Sequence, residues 1–443
     1  MINSFFSPSS VAVIGASRHP GKVGYEVLRN ISNKKIKVYP VNPAAKVIMG
    51  EKVYASVLDI KGVVDLAVVC IPAEFVPQVV EECGKKNIKN IIIISAGFSE
   101  VGQHGKEMED KVLKIAKKYK IRIVGPNCLG VIVPKSELNA SFFSDIPCVG
   151  ETAFISQSGA LGVAILDWSL KSNFCFSGFV SVGNMADVSF SELIEYFGND
   201  KNTKVIALYI ESVKKGKEFM EVCRKVSKKK PIIILKAGET EEGVKAASSH
   251  TGALAGNYKV YEAAFKQVGA VQVETLEELF TTAEITTKQG IPKGKRVCVL
   301  TNAGGPGVLC ADALAQNKLN IVAIPSDIKS KLNELLPKSW SKNNPIDVIG
   351  DAKADRYKHV LEIFSQNPFF DILICILTPQ SMTEPEKTAE LLVGFNKKTK
   401  IPCFASFIGG NKIEKAEKIL KENNIPNFFD PNKIAKSLGK MIK

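Results

Sequence analysis

Among its ten cysteines the chain has no Cys-x-x-Cys pair, and Cys70, Cys298, Cys375 and Cys403 fall inside apolar strand patterns. They read as small, reduced core residues, which excludes a disulfide framework and a cysteine metal site. Long apolar runs are missing too. The longest, such as residues 89–95, have strand length and fall far short of a membrane span, so no membrane partner is expected. The first eight residues lack a basic stretch leading into a sustained apolar one, and a cytoplasmic protein is expected. Arginine is scarce: only six of the 59 basic residues are arginine, so the net charge of +14 comes from lysines spread over helical segments. Without arginine forks, or aromatics interleaved with basic clusters, nucleic acid is not an expected partner. The excess suits polyanionic small molecules instead.

What is present is ample for several cores. At 443 residues and 45% hydrophobic content, roughly two to four domains are expected. Short apolar runs at 11–15, 36–41, 66–71, 91–94 and 121–124 alternate with helical patterns such as 75–86 and 105–120. Strands this apolar are buried on both faces, which means a parallel sheet covered by crossover helices. After the first strand, Gly15-Ala-Ser17 and the stretch to Gly24 place backbone amides where a pyrophosphate could rest. The spacing is not GxGxxG. The second strand ends in Val41-Asn42-Pro43 with Lys46 close behind, where a dinucleotide fold would carry a ribose-binding acid. A ligand with a phosphorylated ribose fits that pattern better than NAD, which argues against a nicotinamide dehydrogenase. Further strand ends read Ile71-Pro72-Ala73, Ser95-Ala-Gly-Phe98 and Gly125-Pro-Asn127-Cys-Leu-Gly130, and in an open parallel sheet such ends gather at one ligand-binding edge.

A second α/β unit begins near Glu151. Its first strand leads into Ser156-Gln-Ser158-Gly159 and a helix to residue 172, so hydroxyls and free amides meet at a helix start, a ready anion site. Asp187 either holds a group at that site or starts a helix, since Ser189 and Glu192 form a capping box. The strand at 205–210 ends in Glu211, a solvated strand terminus or a carboxylate able to fix the tautomer of an imidazole. One of only four histidines, His250, lies in the small-residue run 248–256, where glycine permits large backbone changes. After punctuation at 290–294, a strand and the turn Thr301-Asn302-Ala303-Gly304-Gly305-Pro-Gly307 repeat the strand, turn and helix of residues 155–172. Two such helix ends on one phosphate would each contribute on the order of 1 kcal/mol. Asp347, in Asn344-Pro-Ile-Asp-Val348, either caps or binds.

The order of these motifs, from Gly15-Ala-Ser to Asn344-Pro-Ile-Asp-Val, closely resembles the α subunit of ADP-forming acyl-CoA synthetases, relatives of succinyl-CoA synthetase, over essentially the whole chain. The resemblance implies an α/β chain of three consecutive open parallel-sheet units. These are a Rossmann-like CoA-binding domain at 1–148, a flavodoxin-like CoA-ligase domain with the phosphohistidine loop at 149–290, and a second one at 291–443. It implies interconversion of acyl-CoA, ADP and phosphate with a carboxylic acid, CoA and ATP. Coenzyme A is then a substrate, held by Gly15, Ser17, Lys22, Val41, Asn42 and Lys46, with Ile71, Pro72, Ser95 and Asn127. His250 matches the phosphorylated histidine and Glu211 its supporting acid. Ser156, Ser158 and Gly159, with Asn302, Ala303, Gly304 and Gly305, match the phosphate-binding helix starts, and Asn127 and Asp187 are candidates for the acyl pocket.

No Walker-type lysine loop and no room for an ATP-grasp domain are found. In the family this chain resembles, that domain lies on a separate β subunit or is fused to the α chain, and the resemblance implies ADP or ATP and Mg on an ATP-grasp β subunit, in an α2β2 heterotetramer. No metal site is expected in this chain. The rival within the same fold is a non-catalytic CoA-binding regulatory or scaffold protein, against which the His250 and Glu211 pair argues.

Overall fold

The computed structural model describes residues 2–32, 35–245 and 257–442. The chain is mixed α/β and divides into two compact units, residues 1–274 and 275–443.

The first unit holds two main sheets. In one, β1 (Ser10–Ile14), β2 (Lys37–Val41), β5 (Leu66–Val69), β6 (Asn90–Ile93) and β7 (Arg122–Val124) lie in the order β2-β1-β5-β6-β7, all parallel. β1, β5 and β6 are buried at every residue because helices such as Val23–Ile31, Val76–Lys85 and Gln103–Tyr119 carry the chain back between them, as their unbroken apolar runs require. A two-stranded hairpin, β3 (Val47–Ile48) with β4 (Glu51–Lys52), stands apart after β2.

The other sheet runs β14-β13-β12-β10-β11-β8-β9. Its parallel part comprises β10 (Val149–Ser156), β11 (Phe176–Ser181), β12 (Val205–Ile210), β13 (Ile232–Lys236) and β14 (Val271–Val273). β8 (Gly130–Val133) and β9 (Leu138–Ser141) extend it antiparallel beyond β11. Residues 130–141 thus precede the second sheet in sequence yet complete it in space. One core runs through both sheets, joining Val11 and Val13 to Ile155, Leu208 and Ile234.

The expectation that all cysteines are reduced fails at one pair: Cys148 and Cys175 form a disulfide. They come together because β10 and β11 are parallel neighbours, with the Phe176 N–H on the Cys148 carbonyl (3.0 Å) and the two Cα atoms 4.7 Å apart. A separation of 27 residues hides that proximity in the sequence. The other eight are free, and all but Cys70 are buried.

In the second unit β15 (Arg296–Thr301), β16 (Asn320–Ile321), β18 (Ile372–Leu377) and β19 (Cys403–Phe407) run parallel in the order β16-β15-β18-β19, and β17 (Ile346–Asp347) pairs with the end of β15. The helix Leu276–Gln289, read from sequence as the close of the second domain, packs here on the helix Pro431–Met441. Thr282 meets Ser437 at 3.1 Å, and the Lys440 ammonium lies 2.7 Å from Glu278. No helix among the described residues is long and apolar enough to cross a membrane.

Candidate active site

Five turns leave the carboxyl edge of the first sheet and are laced together through the backbone. Gly15 donates to the Val41 carbonyl (3.0 Å), Cys70 to Ile14 (2.8 Å) and Asn127 to Ser95 (2.9 Å). The Ser95 hydroxyl donates to the Ile71 carbonyl (2.5 Å), and the Asn42 amide to the Ala16 carbonyl (2.7 Å). Gly15 sits at φ +88°, and a Cβ there would come within 2.6 Å of the Cys70 oxygen. At Gly24 a Cβ would lie 1.9 Å from the Gly15 oxygen, so the helix Val23–Ile31 starts against the turn only because both residues are glycine. Ser17 accepts the His19 N–H (3.0 Å), while Lys22 precedes the helix and is exposed, as are Lys46 at the foot of the hairpin and Pro72 after β5. The ten residues expected to hold CoA therefore come to one edge, the exposed Lys22 and Lys46 among them.

The same edge is continued by residues 183–188. Asn184 and Ala186 donate to the carbonyls of Pro126 (2.9 Å) and Gly125 (3.1 Å), and the Asn127 amide reaches Asn184 Oδ1 (3.3 Å). Asn184 in turn donates to Glu100 (2.6 Å), whose carboxylate also takes the Gly97 N–H (2.6 Å). Burial alone would raise the Glu100 carboxyl, but Asn184 and the Gly97 and Phe98 amides outweigh it and hold it below the ordinary range. Asp187, a candidate for the acyl pocket, turns elsewhere. Its carboxylate takes the Ile123 N–H (2.8 Å) and the Arg122 Nε (3.0 Å), so it fixes the segment along β7 instead of facing the edge.

β10 ends in the first anion-type turn. The Ser156 hydroxyl accepts the Ser158 N–H (3.1 Å) and donates to the Ser158 carbonyl (2.9 Å), while the Ser158 hydroxyl caps the helix Gly159–Ser172 by accepting from Leu161 (3.2 Å). Both hydroxyls that the sequence offered to an anion are thus engaged in shaping the turn. What the helix start presents is the N–H groups of Gly159 and Ala160, which have no intrahelical acceptor. In the second unit Thr301 repeats the device on Ala303 (3.0 Å each way) ahead of the helix Gly304–Gln316, leaving the amides of Gly304 and Gly305. Asp347 acts as a cap through Oδ1, which accepts the Ile349 N–H (2.8 Å), while its Oδ2 lies 3.4 Å from where a Cβ on Gly304 would stand.

Gln157, the residue after the first hydroxyl, was missed from sequence, and Asn302, after the second, was expected at a phosphate and not in the role its side chain takes. Gln157 Oε1 accepts the N–H groups of Glu211 (2.6 Å) and Ser212 (2.9 Å), and Asn302 Oδ1 accepts that of Thr378 (2.9 Å). Asn302 also donates to the Thr378 carbonyl (2.9 Å) and is fully buried, so its side chain serves the fold. In both units an amide side chain ties the helix start to the end of the neighbouring strand. The signal was available: a hydroxyl residue followed by an amide residue ends both strands.

Glu211 is buried, at 6% exposure, at the end of β12, next to β10. The following N–H, of Val213, is taken by the Tyr261 hydroxyl (3.2 Å). Lys236, at the end of β13, is 4% exposed, and its ammonium lies 4.7 Å from the centre of the Tyr261 ring. His250, in the run 246–256, lies outside the described residues. Among the described residues no group of three or more His, Cys, Asp or Glu side chains could hold a metal.

Three family models cover this chain: a CoA binding domain over residues 9–134, a succinyl-CoA ligase like flavodoxin domain over 149–286 and a ligase-CoA domain over 297–439. The α subunit of ADP-forming acetate–CoA ligase II from Pyrococcus furiosus is 43% identical over 100% of this chain and 98% of that protein. The ADP-forming 4-hydroxybutyrate–CoA ligase of Nitrosopumilus maritimus is 40% identical over 99% of this chain, which spans 63% of that longer protein. Among solved structures, the dinucleotide forming acetyl-coenzyme A synthetase 1 of Ca. Korarchaeum cryptofilum, in complex with phosphate and ADP, is similar at a TM-score of 0.94 and 36% identity, covering 100% of this chain and 96% of that one.

Proposed function

The chain belongs to the family of ADP-forming acetate–CoA ligases, whose α subunits it matches end to end, and from that premise we propose that it is the α subunit of an ADP-forming acyl-CoA synthetase. Phosphate attacks the thioester of an acyl-CoA, CoA leaves as the thiol, and the acyl phosphate passes its phosphoryl group to a neutral nitrogen of His250, releasing the carboxylate. Phosphohistidine then donates to ADP on a β partner. The partner carries an ATP-grasp site with its Mg, and the assembly is α2β2. CoA occupies the edge lined by Gly15, Asn42, Ser95 and Asn127, where the exposed Lys22 and Lys46 meet its phosphates. Residues 1–148, 149–290 and 291–443 serve as CoA-binding, phosphohistidine and second phosphate-binding modules. We place the protein in the cytoplasm; eight of its ten cysteines are free, and Cys148 and Cys175 form the one disulfide.

The observation that carries the reading is the buried Glu211, held through its backbone by Gln157 immediately before the helix start at Gly159. Helix amides stabilise charge on a phosphoryl group in transit, and a buried carboxylate on the far ring nitrogen supports the cationic phospho-imidazole. The test is reconstitution. With a β partner, acetyl-CoA, ADP and phosphate, the chain is expected to make ATP, and His250→Ala to make none. Normal turnover by that variant sinks the carrier role.

A further inference from the structure

Lys236 has no part in the scheme above, yet its place is unusual. Lysine is among the residues least often fully buried, because desolvating an ammonium is costly unless a partner offsets it. Here the side chain is buried at the carboxyl end of β13, where Lys236 is in register with Ile210 and the next amide, of Ala237, donates to the Ile210 carbonyl (2.9 Å). The residue after Ile210 is Glu211, so Lys236 and Glu211 stand at adjacent strand ends, offset by one position. The ammonium donates to the Ala237 carbonyl and lies against the face of Tyr261, whose hydroxyl takes the Val213 N–H of the turn that carries Glu211. Burial draws the lysine below its ordinary range, and the Glu211 charge acts against that displacement.

We propose that Lys236 is a positioning residue for phosphoryl transfer, acting through Glu211: its charge compensates the buried carboxylate, and its contact with Tyr261 fixes the turn at 211–213. This rests on the phosphoryl-carrier reading. A carboxylate that must support a cationic imidazole has to be present as the anion before the phosphoryl group arrives. Burying that anion beside a fixed cation costs less than burying it alone. Lys236 and Glu211 therefore work as one unit, and the effects of removing them should not add.

The experiment measures the rate at which labelled acetyl phosphate marks the chain, in complex with its β partner, in single turnover. Lys236→Met is expected to slow labelling roughly tenfold or more, as loss of an orienting partner behind a reacting group commonly does, with CoA affinity within twofold of the parent. Lys236→Arg should restore most of the rate. In a Glu211→Gln background, Lys236→Met should cost less than about threefold. Should Lys236→Met not fold, Lys236→Gln carries the same comparison. Labelling of Lys236→Met at the parental rate, or effects of the two substitutions that multiply in the double variant, overturns the inference. A parent chain that takes no label defeats the carrier reading itself.

Discussion

In the proposed scheme, Glu211 is where a single side chain bears most on chemistry. Its backbone is fixed by Gln157 and its carboxyl group is withdrawn from solvent, so it is placed before any ligand binds. Glu211→Gln keeps the shape and removes the charge. Phosphoryl transfer to His250 is expected to slow roughly 100-fold while CoA affinity stays within twofold, as separate labelling and titration measurements would show. Equal loss of both would make Glu211 a structural residue. Sequence reasoning reached Glu211 because a strand that ends in an acid is visible in one dimension. It did not reach Gln157, Tyr261 or Lys236, whose roles depend on the register of β10, β12 and β13 and on a helix that begins after the histidine run.

Among the elements, the start of the helix Val23–Ile31 shows how closely a turn is specified. Gly24→Ala would drive a methyl group to 1.9 Å from the Gly15 oxygen, and backbone cannot yield as a flexible side chain can. A loss of roughly 1–3 kcal/mol is expected, with CoA affinity reduced tenfold or more, measured by thermal melting and calorimetric titration. Gly216→Ala, at a helix start where an added Cβ meets nothing within 4 Å, is the control and should leave both unchanged. Strands of this kind were legible because a parallel strand covered on both faces is apolar throughout, and expected and observed strands agree to within a few residues. β8 and β9 were not legible. They join the second sheet antiparallel from a segment that precedes it, and nothing local in residues 130–141 announces which sheet they complete. The same non-local pairing brought Cys148 to Cys175. Asp187 was ambiguous for a related reason, since only the course of residues 183–188 along β7 hands its carboxylate to Arg122.

At the scale of the whole molecule, every residue proposed to hold CoA lies in the unit 1–274 and none in 275–443. Calorimetry is expected to resolve two transitions. CoA at about 100 times its Kd should stabilise only the one belonging to the first unit, by about 2.7 kcal/mol. A shift of both together would mean that the units unfold as one. The +14 net charge reaches beyond either unit and adds a general attraction for polyphosphate ligands, which salt weakens.

The paired turns at Ser156 and Thr301 share one design. Each ends a central strand with a hydroxyl that folds back on the residue two ahead, and each follows it with an amide that holds the tip of the neighbouring strand. The residue held is an acid in one case, Glu211, and a hydroxyl in the other, Thr378. The same framework thus holds a carboxylate in one unit and a neutral hydroxyl residue in the other. In the proposed scheme the first turn places a charge that can stand behind a cation, while the second offers an anion its helix amides. One arrangement of hydroxyl and amide thereby serves two different electrostatic ends in the proposed scheme.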